Sequence, residues 1–247
     1  MKNLTTNLTL AAALTLAMSA IGTVAHAEDA ATPEHAVSYN VAVTSDYRFR
    51  GVSQTRLQPA LQGGADYVNN PTGLYAGVWA SNIKWIKDAK GGSDIEIDLY
   101  GGKRGEIAKD VSYDVGGLYY FYPSNDLNPS ANTFEVYGQI GFGPAYAKYS
   151  VSTTNLFGFS DSKQSGYFDI GLNYDVAQGY MLNLHAGHQE VRHNGAASYN
   201  DYKIGVTKDF GVVTVALAAV KADIEVPAPN GKNTAKTGLV LTVSKTF

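Results

Sequence analysis

Apolar and polar residues alternate with a period of two along most of the chain, and no segment sustains the 3.6-residue period of a helix. Alternation of this kind makes strands with one apolar and one polar face. In the clearest case Val37, Tyr39, Val41, Val43, Tyr47 and Phe49 share one face. Ser38, Asn40, Thr44, Asp46, Arg48 and Arg50 share the other. Twelve segments can be drawn this way, at 37–50, 57–68, 73–83, 93–102, 111–121, 132–142, 144–153, 165–176, 179–190, 199–210 and 212–223, with a last strand carrying Leu239, Leu241, Val243 and Phe247. The connections alternate too: long ones near 50–57, 84–92, 122–131, 154–164, 191–198 and 224–235, and tight ones such as Asn69 to Thr72, Arg104 to Asp110, Gly143-Pro144, Asp175 to Gly179 and Asp209 to Gly211. Long loops at one end, short turns at the other and an even strand count predict an all-β fold, a membrane-spanning antiparallel up-and-down β-barrel of about 12 strands. A secreted soluble β-sandwich, the competing fold, gives no reason for that rhythm.

The ends agree. Lys2, the apolar stretch from Leu8 to Ala20 and the small-x-small triplet Ala25-His26-Ala27 predict a cleaved signal peptide over 1–27. Residues 28–36 read as a flexible periplasmic leader and 37–247 as the barrel. At the other end Leu239, Leu241, Val243 and Phe247 form an alternating apolar pattern that closes on a terminal Phe, the expected signal for the barrel-assembly machinery; Lys245 is its one departure. Tyr67, Phe142, Tyr174, Tyr180, Phe210 and Phe247 fall beside the short turns, as an aromatic girdle requires. Tyr47, Phe49, Trp85, Tyr119 and Phe121 fall near the long loops and suit a second one.

Face assignment also proposes an interior. With Tyr47 and Phe49 toward lipid, Asp46, Arg48 and Arg50 point inward, since arginine on the lipid face costs about 2–4 kcal/mol near the midplane. Glu96, Asp98, Asp114, Glu135 and Asp169 fall on the corresponding polar faces, so the expected lumen-lining set carries both signs with acids in excess. The expected function is a porin-like channel in the bacterial outer membrane that passes small hydrophilic solutes, selecting by size and by a transverse field. The same residues could instead pair across the bore and fill it, leaving a structural or adhesive barrel.

Several classes are disfavoured. The chain has no cysteine, which removes disulfides, thiolate metal sites and cysteine nucleophiles together. Its net charge is −3 with no basic block, so nothing argues for nucleic acid. A barrel lipid hydrolase would need a nucleophile and a base. Of His35, His185, His188 and His193 only His185 lies on a polar strand face, and neither a Gly-x-Ser-x-Gly nor a His-Glu-x-x-His pattern occurs. The reading is therefore no enzyme, no cofactor and no metal. The expected partners are outer-membrane lipid and lipopolysaccharide, the assembly machinery and small solutes.

One family resemblance supports this. Ser45-Asp46-Tyr47-Arg48-Phe49-Arg50-Gly51-Val52-Ser53-Gln54, followed by Pro59-Ala60-Leu61-Gln62-Gly63-Gly64, resembles the opening of the TorF-type porin family of proteobacteria. Gly73 to Asn82, Glu96 to Gly102, Tyr113 to Gly116 and Phe134 to Tyr137 continue it, densely over about 38–140 and more thinly afterwards. The resemblance implies an outer-membrane barrel with a porin-like role, and brings no substrate or catalytic residues with it.

Overall fold

The computed structural model describes residues 33–247; the expected signal peptide and the first part of the leader lie outside the described residues. Twelve antiparallel strands close on themselves. In chain order they are β1 (His35–Thr44), β2 (Ala60–Asn69), β3 (Leu74–Asn82), β4 (Ile95–Ala108), β5 (Val111–Phe121) and β6 (Thr133–Phe142). β7 (Ala145–Ser152), β8 (Gly166–Ala177), β9 (Tyr180–Glu190), β10 (Tyr199–Asp209), β11 (Thr214–Ala222) and β12 (Gly238–Thr246) complete the wall. Each strand pairs with its neighbours in sequence, and β1 seals the barrel against β12 with Val43 opposite Val243. No edge is left unpaired, so the wall satisfies its own backbone hydrogen bonds, as a structure in hydrocarbon must.

The outer surface is apolar. Leu61, Leu99, Ile140, Ile170, Ile204, Leu217 and Leu241 all project outward and are exposed. A soluble barrel reverses this arrangement; an apolar outside around a polar inside belongs to a barrel that crosses a membrane. Tyr67, Phe142, Tyr174, Tyr180, Phe210 and Phe247 ring the short-turn end as exposed side chains. Leu239, Leu241 and Val243 of the last strand and Phe247 just after it share the outer face.

Three of the boundaries that differ from the sequence reading have a local reason. β1 starts at His35, inside the expected leader, because His35 pairs with Asn69 and its Nδ1 lies 2.7 Å from the Tyr67 hydroxyl. β4 runs on to Ala108 through what looked like a turn. Arg104 opposes Asp114 and Glu106 opposes Ser112, leaving only Lys109-Asp110 at the bend. Lys103, Arg104 and Gly105 had hidden the alternation beyond Gly102. The third difference is the largest: β1 stops at Thr44 instead of continuing to Arg50, and the chain turns into the barrel.

Inward-facing tyrosines brace the wall by lying over glycines on neighbouring strands. A Cβ on Gly77 would sit 2.4 Å from the Tyr100 ring, whose hydroxyl donates to Asp66 at 2.6 Å. The glycine therefore provides the space into which the ring folds, an arrangement used where a sheet curves strongly.

Candidate functional site: a lumen closed by an inward hairpin

Residues 45–59 connect β1 to β2, yet Thr44 and Ala60 are direct cross-strand partners, so a two-residue turn could join them. The extra residues build a miniature hairpin inside the barrel. Arg48–Phe49 pairs with Val52–Ser53, and Arg50 and Gly51 form its turn, both with positive φ (45° and 80°). Positive φ at both central positions is the geometry that matches strand twist in a two-residue hairpin. Gly51 is required for a second reason: a Cβ there would meet Asp201 and Ala222 Cβ atoms at 2.7 and 2.9 Å. The tip of the hairpin is pressed against β10 and β11.

The base of the hairpin is organised by Asp46. Its carboxylate accepts from Arg48 Nε at 2.5 Å, Ser53 Oγ at 2.5 Å and Thr55 Oγ1 at 3.3 Å. Arg48 then reaches the last long loop, donating to the carbonyls of Thr234 (2.9 Å) and Lys236 (3.0 Å), and to Gly51 O at 3.0 Å. Arg50 extends to the opposite side. Its guanidinium donates to Glu135 on β6 at 2.7 Å and to Gln189 on β9 at 2.5 Å, and stacks 4.1 Å from the Tyr167 ring on β8. Phe49 meets Tyr120 and Phe157 edge-on, Tyr47 meets Trp79 edge-on, and the Tyr47 hydroxyl donates to Glu96 at 3.2 Å. The hairpin thus touches both halves of the circumference.

Two further long loops fold in beside it. A short helix, Trp85–Asp88, buries Ile86, and Leu156 and Phe157 descend from the loop after β7. The result is an apolar cluster within the loop-side half of the barrel that includes Tyr47, Trp79, Ile83, Ile86, Leu118, Tyr120 and Tyr122. Tyr47 and Phe49 therefore belong to this interior cluster and not to an outer girdle. Trp85 packs edge-on against Tyr122, while Tyr119 and Phe121 keep the outward position expected of them.

All eight proposed lumen residues lie inside the wall, but not along an open bore. Glu96, Asp98, Asp114, Glu135 and Asp169 are only 0–4 % exposed, and Asp46 and Arg48 are buried in the hairpin base. Arg50 and Glu135 are brought together as an ion pair; Glu96 is joined to the hairpin through Tyr47. Asp114 stands apart, accepting from Tyr75 at 2.6 Å. Asp98 finds no hydrogen-bond partner for either oxygen among the described residues, and neither does Glu96 Oε2. On the short-turn side Arg104, Lys148, Asn173 and Asn183 are only half-buried. The interior is closed toward the loops and opens toward the turns.

Sequence reasoning missed Gln189, Tyr167 and Asp201 as interior contacts of this site. His185 lies between two carboxylates, with Nδ1 2.8 Å from Asp169 and Nε2 2.6 Å from Asp201. Both ring nitrogens are engaged, so neither is free to deprotonate a nucleophile. Among the described residues no group of three or more acidic or histidine side chains has the geometry of a metal site.

A family model described as a bacterial protein of unknown function (Gcw_chp) matches residues 27–247. The chain belongs to that family. No match is found among curated protein sequences. Among solved structures, the KdgM porin in complex with disordered oligogalacturonate is similar at TM-score 0.55 and 7% identity, covering 85% of this chain and 98% of the porin. The COG4313 outer membrane channel from Pseudomonas putida F1 is similar at TM-score 0.51 and 12% identity, with 87% and 96% covered, and the NanC porin at 0.50 and 9%, with 85% and 98% covered. The fold of this Gcw_chp protein is the one those outer-membrane proteins share.

Proposed function

We propose that this Gcw_chp protein is an outer-membrane channel for small hydrophilic solutes whose resting form is closed by its own first long loop. One observation carries the reading. The segment that fills the loop-side lumen is a single hairpin inserted between two directly paired strands, so the wall does not depend on it. A barrel filled only for stability has no need of a removable filling. The wall that remains once the hairpin moves, with Glu96, Asp98, Asp114, Glu135 and Asp169 on its inner face, supplies the selecting field. Acids predominate, so a polyanion such as the oligogalacturonate of the KdgM complex is not the solute proposed.

This role agrees with the resemblance to TorF-type porins. The chain resides in the bacterial outer membrane, its apolar belt facing lipid and its long loops near the lipopolysaccharide leaflet. The last strand, through Leu239, Leu241, Val243 and Phe247, is the segment offered to the assembly machinery. The work is passive, with no catalytic step and no cofactor.

Liposome swelling tests it. The refolded protein and a variant with residues 45–59 replaced by Asn-Gly are assayed with small neutral and cationic solutes. The variant is expected to admit them much faster than the parent. A folded variant as impermeable as empty liposomes would instead establish a filled, structural barrel.

A further inference from the structure

The guanidinium of Arg50 is held as a ligand would be. Everything that meets it is an acceptor or a π face: the Glu135 carboxylate at 2.7 Å, Gln189 Oε1 at 2.5 Å, the Tyr167 ring at 4.1 Å and the Phe49 ring at 4.8 Å. Three of the four, Glu135, Gln189 and Tyr167, come from separate strands of the wall, and only Phe49 comes from the hairpin. The cradle therefore persists when the hairpin leaves. Its side chains are firmly placed: Gln189 Nε2 donates to the Gly166 carbonyl at 3.0 Å, the Tyr167 hydroxyl donates to Asp201 at 2.8 Å, and Tyr120 donates to Glu135 at 3.4 Å.

The surroundings hold oxygen acceptors to spare. Asp98 is paired in register with Tyr120, the residue that bonds Glu135, and both its oxygens lack a hydrogen-bond partner among the described residues, as does Glu96 Oε2. A planar cation is the one ligand class that satisfies a carboxylate, an amide oxygen and an aromatic face at once, bonding in its plane and stacking across it. An anion would meet only acceptors, and a neutral solute would leave the carboxylate uncompensated.

We propose that the Glu135–Gln189–Tyr167 cradle is the binding site for a guanidinium-bearing solute, and that Arg50 occupies it as a tethered mimic that keeps the lumen closed until the solute displaces it. This rests on the channel reading for its purpose, but the site itself can be tested without transport. Replacing Arg50→Gly empties the cradle and suits the positive φ at that position.

The test is calorimetric titration of methylguanidinium chloride into detergent-refolded protein, with sodium chloride and tetramethylammonium chloride as controls. Arg50→Gly is expected to bind methylguanidinium saturably and at least about tenfold more tightly than the parent, whose own arginine competes. The Asn-Gly replacement of residues 45–59 should bind it as well, which keeps the test decisive if Arg50→Gly fails to fold. Adding Glu135→Gln to either variant should weaken binding by about tenfold or more. A folded, emptied variant that binds methylguanidinium no better than the parent, or no better than tetramethylammonium, overturns the assignment. Methylguanidinium binding in a variant that conducts no ions would leave the site standing and remove the channel reading alone.

Discussion

Replacing Arg48→Ala should loosen the hairpin without unfolding the barrel. Arg48 is the bolt between the hairpin and the last long loop, through the carbonyls of Thr234 and Lys236. Hydrogen bonds to a charged group contribute about 1.5–3 kcal/mol each, so two amount to at least about 3 kcal/mol. Asp46 keeps Ser53 and Thr55 as donors, and the Thr234 carbonyl still accepts from Ser53 N at 3.0 Å, but Asp46 loses its buried ion-pair partner and the Gly51 carbonyl its donor, so about 3 kcal/mol is a lower bound. A loss of at least about 3 kcal/mol multiplies the displaced population at least about a hundredfold. Limited trypsin digestion reads it directly, since Arg50, whose side chain is only 6 % exposed, can be cleaved only after the hairpin leaves. When opening and reclosing are fast relative to cleavage, the rate follows that population. Cleavage after Arg50 should accelerate at least about a hundredfold, with heat-modifiable migration retained. An unchanged rate in a folded variant would refute the bolt and the energetic reasoning with it.

Other parts of the account make their own predictions. Leu217→Arg, on the outer face of β11, should cost about 2–4 kcal/mol in urea unfolding from liposomes, and a negligible cost would mean that this face does not meet lipid. Gly77→Ala should drive the Tyr100 ring off Asp66 and destabilise the barrel by about 1–3 kcal/mol in the same assay. Asp223 is held below its ordinary carboxylate value by the Asn200 side-chain amide and main-chain N–H, at 2.8 and 2.6 Å. A depressed folded value means that this loop anchor is complete above the ordinary value near 3.9 and is lost as pH falls through the lower one. Hydrogen exchange at the Asn200 amide, corrected for its intrinsic rate, should therefore stay slow from neutral pH to about 4 and quicken only below that.

The wall was legible because lipid outside and charge inside impose a period of two on nearly every strand. Where consecutive bases and a glycine broke the pattern, as at Lys103, Arg104 and Gly105, the strand continued unseen. The hairpin was misread for the opposite reason. Tyr47 and Phe49 against Asp46, Arg48 and Arg50 continue the alternation of β1, and in a barrel that is full of apolar as well as charged contacts both sets can face inward. A local signal was present in the Arg50-Gly51 turn and in the polar run Ser53-Gln54-Thr55, which no lipid-crossing strand would carry. Gln189, Tyr167 and Asp201 fall on polar strand faces in the sequence, but their part in this site had no signal, because it arises only where the hairpin tip meets distant strands.

The account rests most directly on single-channel recording in planar bilayers of the parent and of the variant in which Asn-Gly replaces residues 45–59. The parent should stay largely closed, while the variant should show discrete, long-lived steps with a cation-selective reversal potential in a potassium chloride gradient. A heat-modifiable variant that passes no current, or one whose steps match the parent's in size and frequency, would contradict the hairpin as the closure of this barrel.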